Sequence, residues 1–466
     1  MGTSSLRLTV AMHLTRFRPL SGRDLALLLI VAVILGGAVA RAEVIGTNTF
    51  VSADEIGYAG DANRILAHER YGSFKWAPGT PAVFALFARA AGYHSLKITT
   101  HAHGPAQDAQ LAIEVLTLVL VALIAWMLAG PWAALIAVAL TAAYIPLVLV
   151  TRSYLSEPLG GLMLLAALAS GALARTRRLP YIAGAGAVAG LACLARNDLA
   201  VGMAVIAVAI ALAGRPPWRT AACRLAVYLG CLALVVAPWV IYASQRNGRF
   251  VPITTSGPNA LFIGTYLPGH GEQFQTVATF RGAVCAREPT QCAHFRPGYT
   301  APMFRLIASR YPHLSENRAA TEAALENLRK YALGQPFAFT GMMWEKFWHL
   351  WSYPWSGGNS GLHPDTSRTQ HVVFFLLAWV GLLGGAVVLR RFELIAATAV
   401  LLAVSLLNMV FVAQARDNVR LAPTLLTYGA AGLWLLITKR LVPGLKRRRE
   451  AAAGPPQKST GPVTVG

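Results

Sequence analysis

The sequence predicts an all-α polytopic membrane protein: a bundle of about ten transmembrane helices with a large loop domain outside the membrane. Three observations predict it. Of 466 residues, 55% are hydrophobic and only 13% are charged, where an ordinary soluble domain carries about 25% charged residues. Mean hydropathy is +0.50, and apolar runs of bilayer-spanning length recur along the chain. Basic residues gather in the short loops of one side, as topology requires. A water-soluble globule and a disordered chain are both excluded. The formal charge of +21, from 41 Lys+Arg against 20 Asp+Glu, would point to nucleic acid in a soluble protein. Here no nucleic-acid motif accompanies it, so no nucleic-acid partner is expected.

The elements follow in order. Residues 1–24 form a short basic cytoplasmic N-terminus with Arg7, Arg16, Arg18 and Arg23, and an apolar run extends from Leu25 to Ala40. Its end, AVARAE, resembles a small-residue cleavage site, but the many spans that follow favour an uncleaved first span. Residues 43–105 read as a first outer loop. Its short apolar stretch, Pro81 to Ala91, is too short to cross a bilayer and suited to lying along its surface. Further runs lie near 108–129, 132–150, 157–174, 180–195, 198–213 and 222–243, completing a membrane region over 25–243. The polar stretch 244–370 reads as an extracytoplasmic loop domain, 371–437 as three more spans near 371–389, 393–413 and 420–437, and 438–466 as a basic, partly disordered cytoplasmic tail.

Charge tests this count. The loops expected inside carry Arg175, Arg177 and Arg178, then Arg215, Arg219 and Arg224, then Arg390 and Arg391, and the tail carries Lys439, Arg440, Lys446, Arg447, Arg448 and Arg449. The short outer turns carry little beyond Arg152, Arg196, Arg416 and Arg420. That asymmetry supports an even number of spans with both termini inside. No 20–50 residue repeat is visible, which argues against a transporter built from repeated halves. Cys193, Cys223 and Cys231 lie in or beside spans and read as inert packing residues. Cys285 and Cys292 share the long outer loop, and their spacing leaves a local disulfide and two free thiols both open.

Within that loop, SENRAATEAALENLRKYAL reads as a helix with Ser315 as N-cap, Glu316 in the first turn, and Leu325, Leu328 and Ala332 on one face. FAFTGMMWEKFWHLWSYPW follows, with Trp344, Trp348, Trp351 and Trp355. It reads as an interfacial aromatic helix, and its shelf would suit the border of a groove for a lipid-linked substrate.

Ionisable residues at span edges carry the chemical argument, because charge near lipid is costly. Asp54 and Glu55, with Tyr58 and Asp61 a turn onward, lie just outside the first span. A carboxylate there can act as general base toward a hydroxyl. Glu157 opens a span at its outer end, where the helix N-terminus and Pro158 also explain it. Arg196, with Asp198, marks a tight outer turn, and Arg416 and Arg420 stand at the outer end of the last span. The alternative for these arginines is a simple reach to lipid headgroups. Acids and arginines on one surface are what transfer from a membrane-anchored phosphate donor needs. A carboxylate deprotonates the acceptor while guanidinium groups neutralise the departing phosphate. His101 and His103 read as solvated rather than as metal ligands.

At these residues the chain resembles bacterial GT-C glycosyltransferases of the protein-mannosyltransferase and aminoarabinose-transferase type. The motifs run in order: DEIGY, KWAPGTPAVFALF, RSYLSEPL, GLACLARNDLAVG, APWVIYASQRNGRFVPITTSGPNALFIG, MMWEKFWHLWSYP and ARDNVRLAPTLL, over roughly residues 25–437. The resemblance implies a GT-C-type bundle and an inverting sugar transfer from a polyprenyl-phosphate sugar to a lipid, glycan or protein acceptor. The site would face outward from a bacterial plasma membrane. It implies Asp54 as general base with Glu55 beside it, and Glu157 as a second acid positioning substrate or a divalent metal ion. It implies Arg196 and Arg416 as contacts to the donor phosphate, with Arg420 in the same basic group. Two departures stand out: Arg196 occupies a position that is often Lys in the family, and Asp417 follows Arg416 where the family often has Tyr. A transporter or flippase of a lipid-linked sugar is the alternative, but it calls for charged or broken-helix sites near mid-membrane rather than at outer helix ends.

Overall fold

The computed structural model describes residues 21–47, 51–72, 74–98, 103–174, 178–287, 289–290, 295, 299–355, 364–441 and 443. The helices follow in chain order: α1 (Gly22–Glu43), α2 (Ala53–Leu66), α3 (Gly79–Ala90), α4 (Pro105–Ala129), α5 (Pro131–Ala143), α6 (Ile145–Val150), α7 (Glu157–Ala174), α8 (Leu179–Ala195) and α9 (Ala200–Leu212). Then come α10 (Trp218–Asn247), α11 (Gly257–Thr265), α12 (Gln273–Arg287), α13 (Ala301–Ser309), α14 (Glu316–Asn327), α15 (Pro336–Ser352), α16 (Pro364–Leu389), α17 (Phe392–Val410) and α18 (Asp417–Leu436). Among the described residues no β-strand forms.

Among the described residues seven helices are long and apolar enough to cross a membrane, within α1, α4, α7, α10, α16, α17 and α18. Three shorter apolar helices, Pro131–Ala143, Leu179–Ala195 and Asn197–Leu212, occupy three more of the apolar runs read from the sequence. The last helix is the hub. α18 packs on α16, α7, α5 and α4, and 72% of its apolar window is buried inside the protein, against 11% for α10 at the periphery. Glycine makes its closest contact possible. A Cβ on Gly429 would stand 2.4 Å from the Ala378 carbonyl oxygen, and one on Gly432 2.2 Å from that of Gly381. Backbones approach this closely where small residues line a helix pair in lipid.

The run near 132–150 does not form one continuous helix. It breaks at Tyr144, whose backbone is extended, into α5 and the short α6. Pro146 is the cause: it has no N–H to give the Ala142 carbonyl four residues back. In a dry environment the freed groups need other partners. Arg41 donates to the Ala142 and Thr141 carbonyls at 3.2 Å each, and Gln370 takes the Ile145 N–H at 3.0 Å while donating to the Ala143 carbonyl at 2.8 Å. Arg41 also pairs with Glu114 at 3.3 Å, both side chains fully or almost fully buried.

On the loop-rich side, α2 and α3 share a small core of Tyr58, Phe84, Ala88 and Tyr154. Helices α11 to α14 build a separate core around Phe262, Phe280, Phe304 and Ile307. Ser315 is the N-cap residue of α14 as expected, but the buried face is Ala319, Ala320, Ala323 and Ala324, not the Leu325 face. Small side chains let α14 seat closely on α11, and Leu325 is left 37% exposed. In α15, Lys346 is buried while Trp344 and Trp348 face outward. Cys285 is disulfide-bonded; Cys292, His101 and most of the basic tail lie outside the described residues.

Candidate active site

Asp54 is placed by the start of α2. The sequence Ser52-Ala53-Asp54-Glu55 is a capping box: Ser52 Oγ accepts the Glu55 N–H at 3.3 Å, and Glu55 Oε1 accepts the Ser52 N–H at 3.0 Å. The second Glu55 oxygen accepts the Tyr154 N–H at 2.9 Å. Glu55 thus clamps the first turn of α2 onto the buried segment 151–156, and its neighbour Asp54 projects into the cluster. Glu157 follows that buried segment as the first residue of α7, 1% exposed. Arg196 is the extended residue between α8 and the turn leading to α9. Arg416 is the N-cap of α18, with Asp417 and Arg420 in its first turn.

These segments, far apart in sequence, meet. Arg416 is the bridge: its Nη2 is ion-paired and hydrogen-bonded to Asp54 Oδ2, and its Nε lies 3.4 Å from Glu157 Oε1. Arg196 approaches the same Glu157 oxygen at 3.0 Å and chelates Asp198 through two contacts of 3.2 Å. It also donates to Ser156 Oγ at 2.9 Å, and Tyr58 shares a 2.8 Å hydrogen bond with that same Ser156 oxygen. Arg420 closes the network from below, 2.6 Å from Asp198, paired to Asp417, and 3.1 Å from the Asn408 side-chain oxygen. Two glycines make room. A Cβ on Gly160 would fall 2.7 Å from Arg196 Cδ, and one on Gly161 3.1 Å from the Arg420 carbonyl.

Three arginines interleave with four carboxylates, so every charge has an opposite neighbour. Burial of so many charges is tolerable only with such pairing. The exposed edge of the network is Asp54 and Arg416, whose side chains are 28% and 25% exposed. Arg420, expected in the same basic group as the phosphate contacts, has a side chain with no exposed surface. Burial pushes the Asp54 carboxyl up. The Arg416 guanidinium, the nearby Lys75 charge and the Trp76 indole N–H, 3.4 Å away, outweigh it and leave its pKa below the ordinary carboxylate value. Glu55 goes the other way: burial raises it, more than its hydrogen bonds from Ser52 and Tyr154 lower it.

Sequence reasoning singled out Asp54, Glu55, Glu157, Arg196, Arg416 and Arg420, and all but Glu55 lie in one connected ion-pair network. It gave no role to Asp198, Asp417, Ser156, Asn408, Lys75 or Trp76. Asp417 was visible only as a departure from the resembled motif. A divalent ion needs several oxygen ligands turned toward one point. Among the described residues no three His, Cys, Asp or Glu side chains converge in that way. Asp54 and Glu157 instead share one guanidinium, so the donor set does not fit a resident metal.

No protein-family model and no curated protein matches the chain. Solved structures do. The apo oligosaccharyltransferase of Archaeoglobus fulgidus superposes with a TM-score of 0.51 at 15% identity, over 93% of this chain and 52% of that one. The chain therefore spans about half the length of the archaeal protein. The aminoarabinose transferase of Cupriavidus metallidurans bound to undecaprenyl phosphate aligns over 93% of this chain and 81% of that one, at 16% identity and a looser TM-score of 0.38. The helical bundle, its seven membrane-length helices and the archaeal likeness converge on one description: this chain is an all-α polytopic membrane protein with the GT-C-type fold of the archaeal oligosaccharyltransferase.

Proposed function

We propose that this protein is an integral-membrane glycosyltransferase that moves a sugar from a polyprenyl-phosphate-linked donor to an acceptor hydroxyl at the outer face of a bacterial plasma membrane, with inversion. The observation that carries the reading is the Arg416 guanidinium standing between Asp54 and Glu157 at the exposed edge of the buried charge network. The shared fold with an oligosaccharyltransferase supports the reaction class. An ionised Asp54 accepts the acceptor's hydroxyl proton. The acceptor oxygen then bonds to the anomeric carbon of the donor, the bond from that carbon to the phosphate oxygen breaks, and polyprenyl phosphate leaves with the electron pair. Arg416 and Arg196 hold the departing phosphate through charge-assisted hydrogen bonds.

The paired resting state adds a coupling. A donor phosphate competes with Asp54 for Arg416. As the guanidinium turns to phosphate, the Asp54 carboxylate loses the neighbour that most depresses its pKa and becomes a stronger base. Glu157 positions both arginines, Glu55 positions α2, and Arg420 with Asp198 and Asp417 holds the floor. Residues 25–243 carry the acidic half of the site, 371–437 the Arg416 half, and 244–370 cover it from outside. Incubation of membranes with labelled polyprenyl-phosphate sugars tests the reading. Label passing to an acceptor in the wild type and not in Asp54→Asn supports it, and full transfer by Asp54→Asn removes the base assignment.

A further inference from the structure

Arg416 sits on the connection between α17 and α18, and that connection is fastened on both sides to one helix of the loop domain, α15. Before Arg416, the buried Lys346 of α15, 2% exposed, donates from Nζ to the Met409 and Phe411 carbonyls. Both carbonyls lie at the C-terminal end of α17, where no further helical turn supplies their N–H partners. The same nitrogen donates to the Gly264 carbonyl of α11 at 3.0 Å. After Arg416, the fully buried Asn418 donates from Nδ2 to the Leu350 and Tyr353 carbonyls at the end of α15, at 3.1 and 2.7 Å.

Between the two anchors the chain is stiffened locally. The Gln414 N–H donates to Asp417 Oδ2, and the Asp417 N–H to the Gln414 carbonyl, each at 2.9 Å. Packing at the first anchor is close: a Cβ on Gly264 would stand 1.9 Å from the Phe411 carbonyl oxygen, and one on Gly271 2.8 Å from Lys346 Cδ. α15 is itself tied to α16, where His371 Nε2 donates to the Trp351 carbonyl at 2.9 Å.

Taking an ammonium out of water is costly unless its protons find acceptors. Burial pulls the Lys346 pKa down to about 7, against the nearby Glu272 charge. Three carbonyl acceptors favour the ammonium form, the one with a proton for each. A group buried on those terms fixes the carbonyls it serves, and Phe411 leads into the turn that bears Arg416.

We propose that Lys346 and Asn418 are positioning residues for donor binding: they hold segment 411–418 so that the Arg416 guanidinium stands where it can take the donor phosphate. Both act through Arg416 rather than on the phosphate. The inference rests on the transferase reading above and deepens its donor site.

The test uses the full chain in detergent micelles and binding of undecaprenyl phosphate, titrated by native mass spectrometry. Lys346→Met and Asn418→Ala should each bind it about tenfold more weakly than wild type, in protein that still melts cooperatively. Arg416→Ala should show a similar loss. Adding Lys346→Met or Asn418→Ala to Arg416→Ala should weaken binding no further, since both act through the group already removed. A purely structural role gives another pattern: binding retained in both folded variants, or losses that add to that of Arg416→Ala. Either result overturns the inference. Met matches the lysine stem, and Asn418 lies on the other flank of Arg416, so one misfolded variant leaves the other to decide. A wild type that binds no undecaprenyl phosphate overturns the donor reading and this inference together. A wild type that binds it, with folded variants that bind it equally well, overturns this inference alone.

Discussion

The behaviour of Asp54 depends on one partner. With burial pushing its pKa up and Arg416 pulling it down, the sign of the net shift belongs to the pair. A carboxyl held below its ordinary value stays ionised across neutral pH, and its base form is lost only as pH falls through that lowered pKa. We therefore expect no acid limb from Asp54 in the kcat/KM profile of the free enzyme at or above the ordinary carboxylate pKa. In Arg416→Ala the burial remains and its main opponent is gone, with only Lys75 and Trp76 left to offset it, so the acid limb should move to higher pH while donor affinity falls by about tenfold or more. A profile that Arg416→Ala leaves in place, with unchanged donor affinity, would break the coupling. Asp54→Asn should lower kcat by about 10²- to 10⁴-fold without weakening donor binding, because the competitor for Arg416 is gone. At this scale the sequence was informative because a charge at a helix end beside lipid is costly and so stands out. The roles of Asp198, Asp417 and Asn408 were not legible. Asp198 and Asn408 meet Arg420 from another segment, and Asp417 meets Arg196 as well as Arg420 of its own turn; a single sequence carries no record of which side chains meet.

Helices show the same division. The break between α5 and α6 is written locally in Pro146, but the groups that satisfy it, Arg41 and Gln370, come from α1 and α16. Arg41→Met should therefore destabilise the fold by about 3–5 kcal/mol, because it leaves the Glu114 charge buried without its partner. The double variant Arg41→Met with Glu114→Leu should recover part of that loss, and unfolding in denaturant measures both. If the single variant melts like wild type, the pair has no structural duty. Gly429→Leu should likewise separate α16 from α18, because its Cβ would meet the Ala378 backbone. Loss of folded protein on size-exclusion chromatography checks it. The α14 face illustrates a misreading with a physical reason. Leucine periodicity marks burial when a partner helix can accept bulk, whereas α14 sits so close to α11 that alanine wins.

For the whole molecule, the proposed topology places Arg249 and Glu316 outside the membrane and the basic loop at Arg215 inside. Single cysteines at positions 249 and 316 should react with an impermeant thiol reagent on intact cells, and a cysteine at 215 only after permeabilisation. The opposite pattern would invert the site. Composition and apolar periodicity by themselves determined that this is a helical membrane protein, where its apolar runs begin and end, and which charges lie at their edges. They did so because hydrophobic partitioning and charge desolvation act residue by residue. Only the tertiary structure decided that Asp54, Glu157, Arg196 and Arg416 share one network and that Arg420 lies beneath it. Those outcomes depend on which helices pack together and how closely glycine lets them approach, a property of the assembled bundle rather than of any segment.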